Sequence, residues 1–325
     1  MKINLYKKFL LNTFNLKIEE KKGNSIKEGK LLEDGKIIRI KKFIPRFYEE
    51  NYCESFSFQW KKFRDLQLDS KNKNKHSEER LKKCTKWDLS KLKGKKILEC
   101  GCGPGRFTEV FLKYGATVVG VDMSKAIEVN YENNGENNNL LLIQGDITKL
   151  PFFKNKFDYV FCYGVLQHTP DPESTFNHLV KYLKKGGKIS IDSYRKIYFP
   201  TGWSTPKYLW RPITKRMKKE KLLKIIEWYI PRYIGFDTII RGIPKLGIVI
   251  TGLIPVPCWN YIDKKYSKQE RIKHAVMDTF DALSPKYDNP KTIKEVRNWF
   301  EKISGLKNIN VFGGGNGVIG NATKK

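Results

Sequence analysis

The chain has 325 residues, enough for one large domain or a core domain with additions. Hydrophobic residues make up 40% of it, so a proper core can form, and Lys and Arg total 63 against 34 Asp and Glu, a formal net charge of +29. Such an excess suits nucleic acid, an anionic membrane surface or an acidic substrate, but the lysines are spread along the whole chain, as on ordinary solvated faces.

Residues 1–47 are basic, with the weak alternation of Lys36-Ile37-Ile38-Arg39-Ile40, and read as short strands. The N-terminal apolar run, Phe9-Leu10-Leu11, is too short for a signal peptide and has no small-residue cleavage site. Residues 48–93 mix aromatics with charge, as in Phe56-Ser57-Phe58-Gln59-Trp60. They end in a polar run, Lys71–Arg80, that reads as a loop entering a helix.

Residues 94–194 alternate strand and helix patterns, the signature of a parallel α/β sheet. Lys96–Glu99 reads as a strand, Arg106–Tyr114 as a helix and Ala116–Val121 as a buried strand ending at Asp122, with Ser124 as N-cap of the next helix. Leu140–Ile143 and Phe157–Tyr163 are further strands. A helix over Ser174–Lys184 stops at Gly186-Gly187, and Lys188–Ser193 is a fifth strand. Residues 195–285 break the alternation with Trp203, Trp210, Trp228, Trp259 and many prolines, and read as an inserted, mainly helical cap. Residues 286–325 return to the core, with a helix over 291–304 and two terminal strands, Asn308–Phe312 and Gly317–Asn321, as an antiparallel hairpin. The expected fold is α/β: a Rossmann-like, seven-stranded, mostly parallel sheet with helices on both faces, plus the helical insert.

The six cysteines (Cys53, Cys84, Cys100, Cys102, Cys162 and Cys258) include no C-x-x-C pair. No disulfide framework is suggested, so the cytoplasm is the expected compartment and no metal site is expected. Leu246–Pro257, the longest apolar stretch, is broken by Gly and Pro and cannot span a bilayer. With the aromatics and lysines of the insert, it is a candidate for peripheral contact with a membrane surface.

The chemistry concentrates in Glu99-Cys100-Gly101-Cys102-Gly103-Pro104-Gly105. A strand running into glycines and then a helix builds a nucleotide-cofactor site, because glycines let the backbone approach a ligand. A dinucleotide site wants G-x-G-x-x-G, but Arg106 stands at the third glycine position, and Glu99 would repel a pyrophosphate. S-adenosylmethionine carries no phosphate but has a cationic amino group and a sulfonium, which an acidic neighbour suits. Asp122, at the end of the second strand, is placed to accept from ribose hydroxyls. Asp146, in Gly145-Asp146-Ile147 after the third strand, is placed to accept from an adenine amino group.

On these residues, Ile97–Ser193 resembles the core of class I S-adenosylmethionine-dependent methyltransferases. The order-specific elements are Glu99-x-Gly101-x-Gly103-x-Gly105, Asp122, Gly145-Asp146, Phe157-Asp158-Tyr159-Val160 and Leu183-Lys184-Lys185-Gly186-Gly187. Asn51–Gln67, Tyr163–Pro170 and Asp278–Asp288 resemble, more narrowly, a bacterial branch associated with small-molecule or surface-glycan biosynthesis. The resemblance implies cofactor contacts at Glu99, Gly101, Gly103, Gly105, Asp122, Met123, Asp146, Ile147 and Tyr163. Some members of that branch carry an N-terminal zinc ribbon. Here Asn12, Asn15, Leu31 and Asp34 fall where its cysteines would be, so residues 1–47 are expected to be a zinc-free remnant.

Methyl acceptors lie after the fourth strand in this fold, at Tyr163–Pro170. His168 is the candidate general base, or else a hydrogen-bonding residue that shapes the pocket. Gln167, Asp278, Phe280 and Asp281 are candidate acceptor contacts, with packing as the alternative for the last three. Phe56, Phe58 and Trp60 are candidates to close over the sulfonium, or else plug the core. The expected activity is methyl transfer to a small-molecule or glycan acceptor by in-line displacement. An RNA or other nucleic-acid methyltransferase is the alternative raised by the charge. Cys162-Tyr163-Gly164-Val165, in place of an Asn/Asp-Pro-Pro-aromatic tetrad, argues against the adenine-amino subclass of those enzymes.

Overall fold

The computed structural model describes residues 1–10, 14–48, 54–64, 66–196, 207–244, 246–247, 249–250, 256–258, 267–315 and 317–325. The chain forms two compact units. The first holds residues 1–54, 67–196 and 287–325, and the second holds 55–66 and 197–286. Segment 48–93 is therefore divided between them.

In the first unit, β5 (Lys96–Cys100), α5 (Arg106–Lys113), β6 (Thr117–Asp122), α6 (Ala126–Asn134), β7 (Leu140–Gln144), β8 (Phe157–Cys162), α7 (Pro172–Val180), β9 (Leu183–Tyr194), α11 (Ile293–Glu301), β10 (Leu306–Gly314) and β11 (Gly317–Lys324) follow one another, and their seven strands form one sheet. Its order is β10-β11-β9-β8-β5-β6-β7. Strands β9, β8, β5, β6 and β7 run parallel, and β11 pairs antiparallel with both β9 and β10. This is the seven-stranded, mostly parallel sheet read from the sequence. Every residue of β7 is buried, and β6 is buried from Thr117 to Val121, which is why these strands read as unbroken apolar runs.

Three local readings need correction. The fifth strand begins at Leu183, so Gly186 and Gly187 lie inside β9 and do not cap a helix. Helix α7 ends at Val180 and starts at Pro172, where the Asp171 side chain caps the Ser174 N–H and proline fits the first turn. Ser124 is not the N-cap of α6; its hydroxyl donates to Asp122 at 2.6 Å and accepts the Ala126 N–H at 3.2 Å.

The N-terminal segment begins with a helix absent from the sequence reading, α1 (Ile3–Phe9). It continues as an antiparallel sheet of β1 (Asn15–Lys22), β2 (Ser25–Glu33), β3 (Lys36–Lys41) and β4 (Ile44–Pro45). Leu31, at one position where a zinc-ribbon cysteine would fall, is fully buried in an apolar cluster with Phe9, Ile26 and Ile40. Asn15 is exposed at the start of β1, Asp34 turns the β2–β3 hairpin, and Asn12 lies outside the described residues. Apolar packing thus fills this small sheet.

The sheet is fastened to the edge of the large one. Arg46 bridges to Gln144 of β7 and to Glu128 of α6, both at 2.8 Å, while the Phe47 N–H donates to the Gln144 carbonyl. The contact covers an edge strand that would otherwise expose unpaired backbone.

The second unit contains α2 (Glu54–Lys62) from Ser55 onward, α8 (Lys207–Thr214), α9 (Lys219–Arg241) and α10 (Lys268–Leu283). Its core joins Leu222, Leu223, Ile226, Ile230 and Ile234 of α9 to Ala275, Val276 and Phe280 of α10. Two short helices, α3 (Asp69–Asn72) and α4 (His76–Thr85), complete the first unit.

Candidate cofactor and acceptor site

The carboxyl ends of the parallel strands gather the polar groups of the first unit. Strand β5 delivers the glycine loop. Gly101 and Gly105 take φ of +73° and +96°, a backbone that side chains with a Cβ rarely adopt, and a Cβ on Gly101 would lie 2.1 Å from the Val165 side chain. The loop is held from β6: the Gly103 N–H donates to Asp122 Oδ2 at 2.8 Å. The other oxygen of Asp122 accepts the Ser124 N–H at 2.8 Å and the Ser124 hydroxyl at 2.6 Å. Asp122 therefore shapes the loop and the following turn, and it stays half-buried at the sheet edge.

Glu99 faces inward, 2% exposed. It accepts the Thr108 hydroxyl at 2.6 Å, and Thr108 in turn accepts from Asn130 at 3.0 Å. Burial, with a smaller push from the Asp122 charge, raises its carboxyl pKa to about 8. Asp146 closes an Asx turn, accepting the Thr148 N–H at 2.8 Å and hydroxyl at 2.7 Å. Ile147 is buried in the main apolar cluster. Met123 is buried, and its carbonyl accepts from Gln144 at 3.0 Å, which links the β6 end to the Arg46 clamp. Tyr163 is buried and stacked on Phe161 at 4.2 Å, with its hydroxyl 2.8 Å from Ser190.

On the far side of the glycine loop, residues 163–170 leave β8. Gly164 has φ of +74°, and its N–H donates to Asp192. Asp192, fully buried on β9, also pairs with Arg80 of α4 at 3.2 Å. Sequence reasoning missed it, because its partner Arg80 lies more than a hundred residues away in the chain. Helix α4 also meets α5: Arg106 donates to Ser77 at 2.9 Å, and Glu78 accepts from Lys113 and Tyr114, both at 2.7 Å.

His168 is buried, with its ring edge-on to Tyr194 and its Nδ1 2.9 Å from the Tyr287 carbonyl. A carbonyl only accepts, so Nδ1 carries the proton and Nε2 is the ring's basic position. Gln167 is fully buried, and neither amide atom has a hydrogen-bond partner among the described residues. Its backbone is nonetheless anchored, accepting the Asn289 N–H at 2.8 Å. The remaining candidates belong to the helical unit. Phe280 is fully buried with its ring 5.7 Å from Phe58, which gives both a packing role there. Asp278 and Asp281 are half-buried on α10, and Phe56 and Trp60 lie on α2. No group of three or more metal-ligating side chains occurs among the described residues.

Residues 98–191 match the methyltransferase domain family. A ubiquinone biosynthesis O-methyltransferase of Coxiella burnetii is 35% identical over 107 residues, 32% of this chain and 46% of that protein. One from Glaesserella parasuis is 33% identical over 110 residues, 32% of this chain and 47% of that protein. The chain thus spans about half the length of these curated relatives. A solved methyltransferase from Aquifex aeolicus is 13% identical, with a TM-score of 0.43 over 85% of this chain and 100% of that one. Residues 98–191 form a class I methyltransferase domain, and the cofactor of that class is S-adenosylmethionine.

Two predictions follow from the buried charges. Because the folded pKa of Glu99 lies near 8 against an ordinary value of 4.5, the folded chain keeps a proton that the unfolded chain has lost. That contribution is intact below pH 4.5 and is lost as pH rises to about 8. Denaturant unfolding without cofactor should show stability falling across this window, and Glu99→Gln should flatten the fall; an unchanged slope refutes the assignment. Removing Arg80 strands the fully buried Asp192 carboxyl, and removing Asp192 leaves a half-buried guanidinium and the Gly164 N–H without their acceptor. Arg80→Met or Asp192→Ala alone should cost about 3–5 kcal/mol, and the double variant less than the two losses combined. Additive losses would show that the pair is not coupled.

Proposed function

We propose that the protein transfers the methyl group of S-adenosylmethionine to a hydroxyl of a small-molecule acceptor. The observation that carries this reading is the row of carboxyl groups Glu99, Asp122 and Asp146 at the ends of three adjacent parallel strands, around a glycine loop. Acidic side chains around the loop suit a cationic cofactor without phosphate. The glycine backbone, the half-buried Asp122 and the Asx turn at Asp146 fit such a cofactor, and Glu99 would return to its ionised form beside a cationic ammonium. Oxygen as the acceptor atom is supported by the relatives, which are O-methyltransferases by name.

The cofactor supplies an electrophilic methyl on sulfur; this chain's residues bind, orient and handle the proton. Asp122 holds the ribose while keeping Gly103 in place. Residues 163–170 receive the acceptor. Alignment of acceptor oxygen and methyl carbon supplies much of the rate in an in-line displacement. Gln167 offers an amide whose donors and acceptor are otherwise unmet, a natural complement to a polar acceptor group. His168, oriented through Nδ1 by Tyr287, presents Nε2 as the base for the hydroxyl proton.

Asp122→Ala should weaken cofactor binding by about 2–4 kcal/mol in a calorimetric titration, and lower stability as well because Gly103 and Ser124 lose their acceptor. Unchanged affinity would remove the ribose assignment. An acceptor screen with labelled cofactor and phenolic, catecholic and sugar hydroxyls tests the reaction itself. With the acceptor so found, Gln167→Leu should raise the acceptor KM while raising Tm, since a buried unmet amide is removed. His168→Asn keeps a donor for Tyr287 and should lower kcat by roughly 100-fold or more with cofactor affinity intact. A kcat that stays at the wild-type level would make His168 a structural post for Tyr287.

A further inference from the structure

Helix α9 is apolar on two faces. One face carries Leu223, Ile226, Ile230 and Ile234 into the core of the helical unit. On the other, Ile225, Trp228, Arg232, Phe236 and Ile239 recur at three- and four-residue spacing, which places them along one line of the helix. These residues are exposed, Trp228 by 64% and Ile239 by 74%. Among the described residues, twelve of the fourteen exposed large hydrophobic side chains belong to this unit. Such a concentration differs from the scattered apolar residues of an ordinary surface.

The charge around the stripe is predominantly positive. From Lys207 to Arg241 there are ten Lys and Arg and three Asp and Glu. Lys215, Arg216, Lys218, Lys221, Lys224 and Arg232 are exposed. One of the three acids, Glu227, is already neutralised by Lys62 at 2.7 Å. The Arg232 guanidinium lies 4.8 Å from the Trp228 ring centroid, so a cation and an amphipathic aromatic share one spot. Tryptophan, arginine and long basic side chains suit the boundary between acyl chains and anionic headgroups.

We propose that this face of α9 docks the protein on an anionic phospholipid surface, with the stripe in the headgroup–acyl boundary and the lysines against lipid phosphates. At 23 residues α9 is long enough to cross a bilayer, but no helix among the described residues is apolar enough to do so. It lies in the interface plane instead. The contact differs from the one expected at Leu246–Pro257, of which residues 248 and 251–255 lie outside the described residues. It does not depend on methyl transfer.

The full chain should float with vesicles of phosphatidylcholine containing phosphatidylglycerol, and weakly or not at all with phosphatidylcholine alone. Raised salt should weaken the binding. Trp228→Ser with Ile239→Ser removes apolar surface at exposed positions and should weaken vesicle affinity at least about tenfold, with an unchanged circular dichroism melt. Lys221→Gln with Lys224→Gln should weaken it through charge alone. Failure to bind the anionic vesicles overturns the proposal, as does equal binding by the serine variant. A wild-type dimer in light scattering that the serine variant dissociates also overturns it, by assigning the stripe to a second copy of the chain.

Discussion

A parallel sheet buried on both faces has one place for polar chemistry, the ends of its strands. Its interior strands are sealed by helices, and every charged group placed there must find a partner or lose its charge. Both solutions occur in this sheet, one on β5 and one on β9. Glu99 is sealed beside the glycine loop, given a hydroxyl donor and held near its neutral form. Asp192 is equally sealed but has Arg80 and a backbone N–H, which oppose the rise that burial imposes on its pKa. The first arrangement leaves an acid ready to respond to an incoming cation. The second locks a loop.

The strand ends also share their supports. Asp122 holds Gly103, Asp192 holds Gly164, and Gln144 holds the Met123 carbonyl while accepting from Arg46. Each is a side chain on one element fixing the backbone of another. The N-terminal sheet thereby becomes part of the support of the β6–β7 edge, through Arg46 and Phe47. Ile26, Leu31 and Ile40 supply the apolar interior of that sheet. Asp122 is thereby part of the architecture of the loop and the following turn, whatever it binds.

The seven strands were legible in the sequence because hydrophobic runs and glycine punctuation are local signals. The terminal hairpin was legible for the same reason. Gly186-Gly187 misled because glycine after a helix is a common cap, whereas here the strand had already begun at Leu183 and continues through both glycines. Helix α1 was missed because its seven residues carry no capping side chain. Glu99, Asp122 and Asp146 were readable from their order after strands. Asp192 was not, since its role exists only once Arg80, more than a hundred residues away in sequence, lies beside it. Phe280 illustrates the opposite limit: an aromatic on an amphipathic helix reads equally as pocket or core, and burial against Phe58 shows that it packs.

The two-faced character of α9 raises a question of energetics that its sequence alone could not. A helix that needed only to pack on α10 would satisfy its apolar requirement with Leu223, Ile226, Ile230 and Ile234, and would place polar residues on the outer side. Leaving Trp228, Phe236 and Ile239 in water costs solubility without adding to that core. The lysines and arginines around them would repel a second copy of the same face. A like-charged surface with an apolar centre therefore favours an anionic, deformable partner over self-association. A headgroup layer satisfies both terms at once, since phosphate meets the lysines while the acyl boundary takes the aromatic and aliphatic side chains.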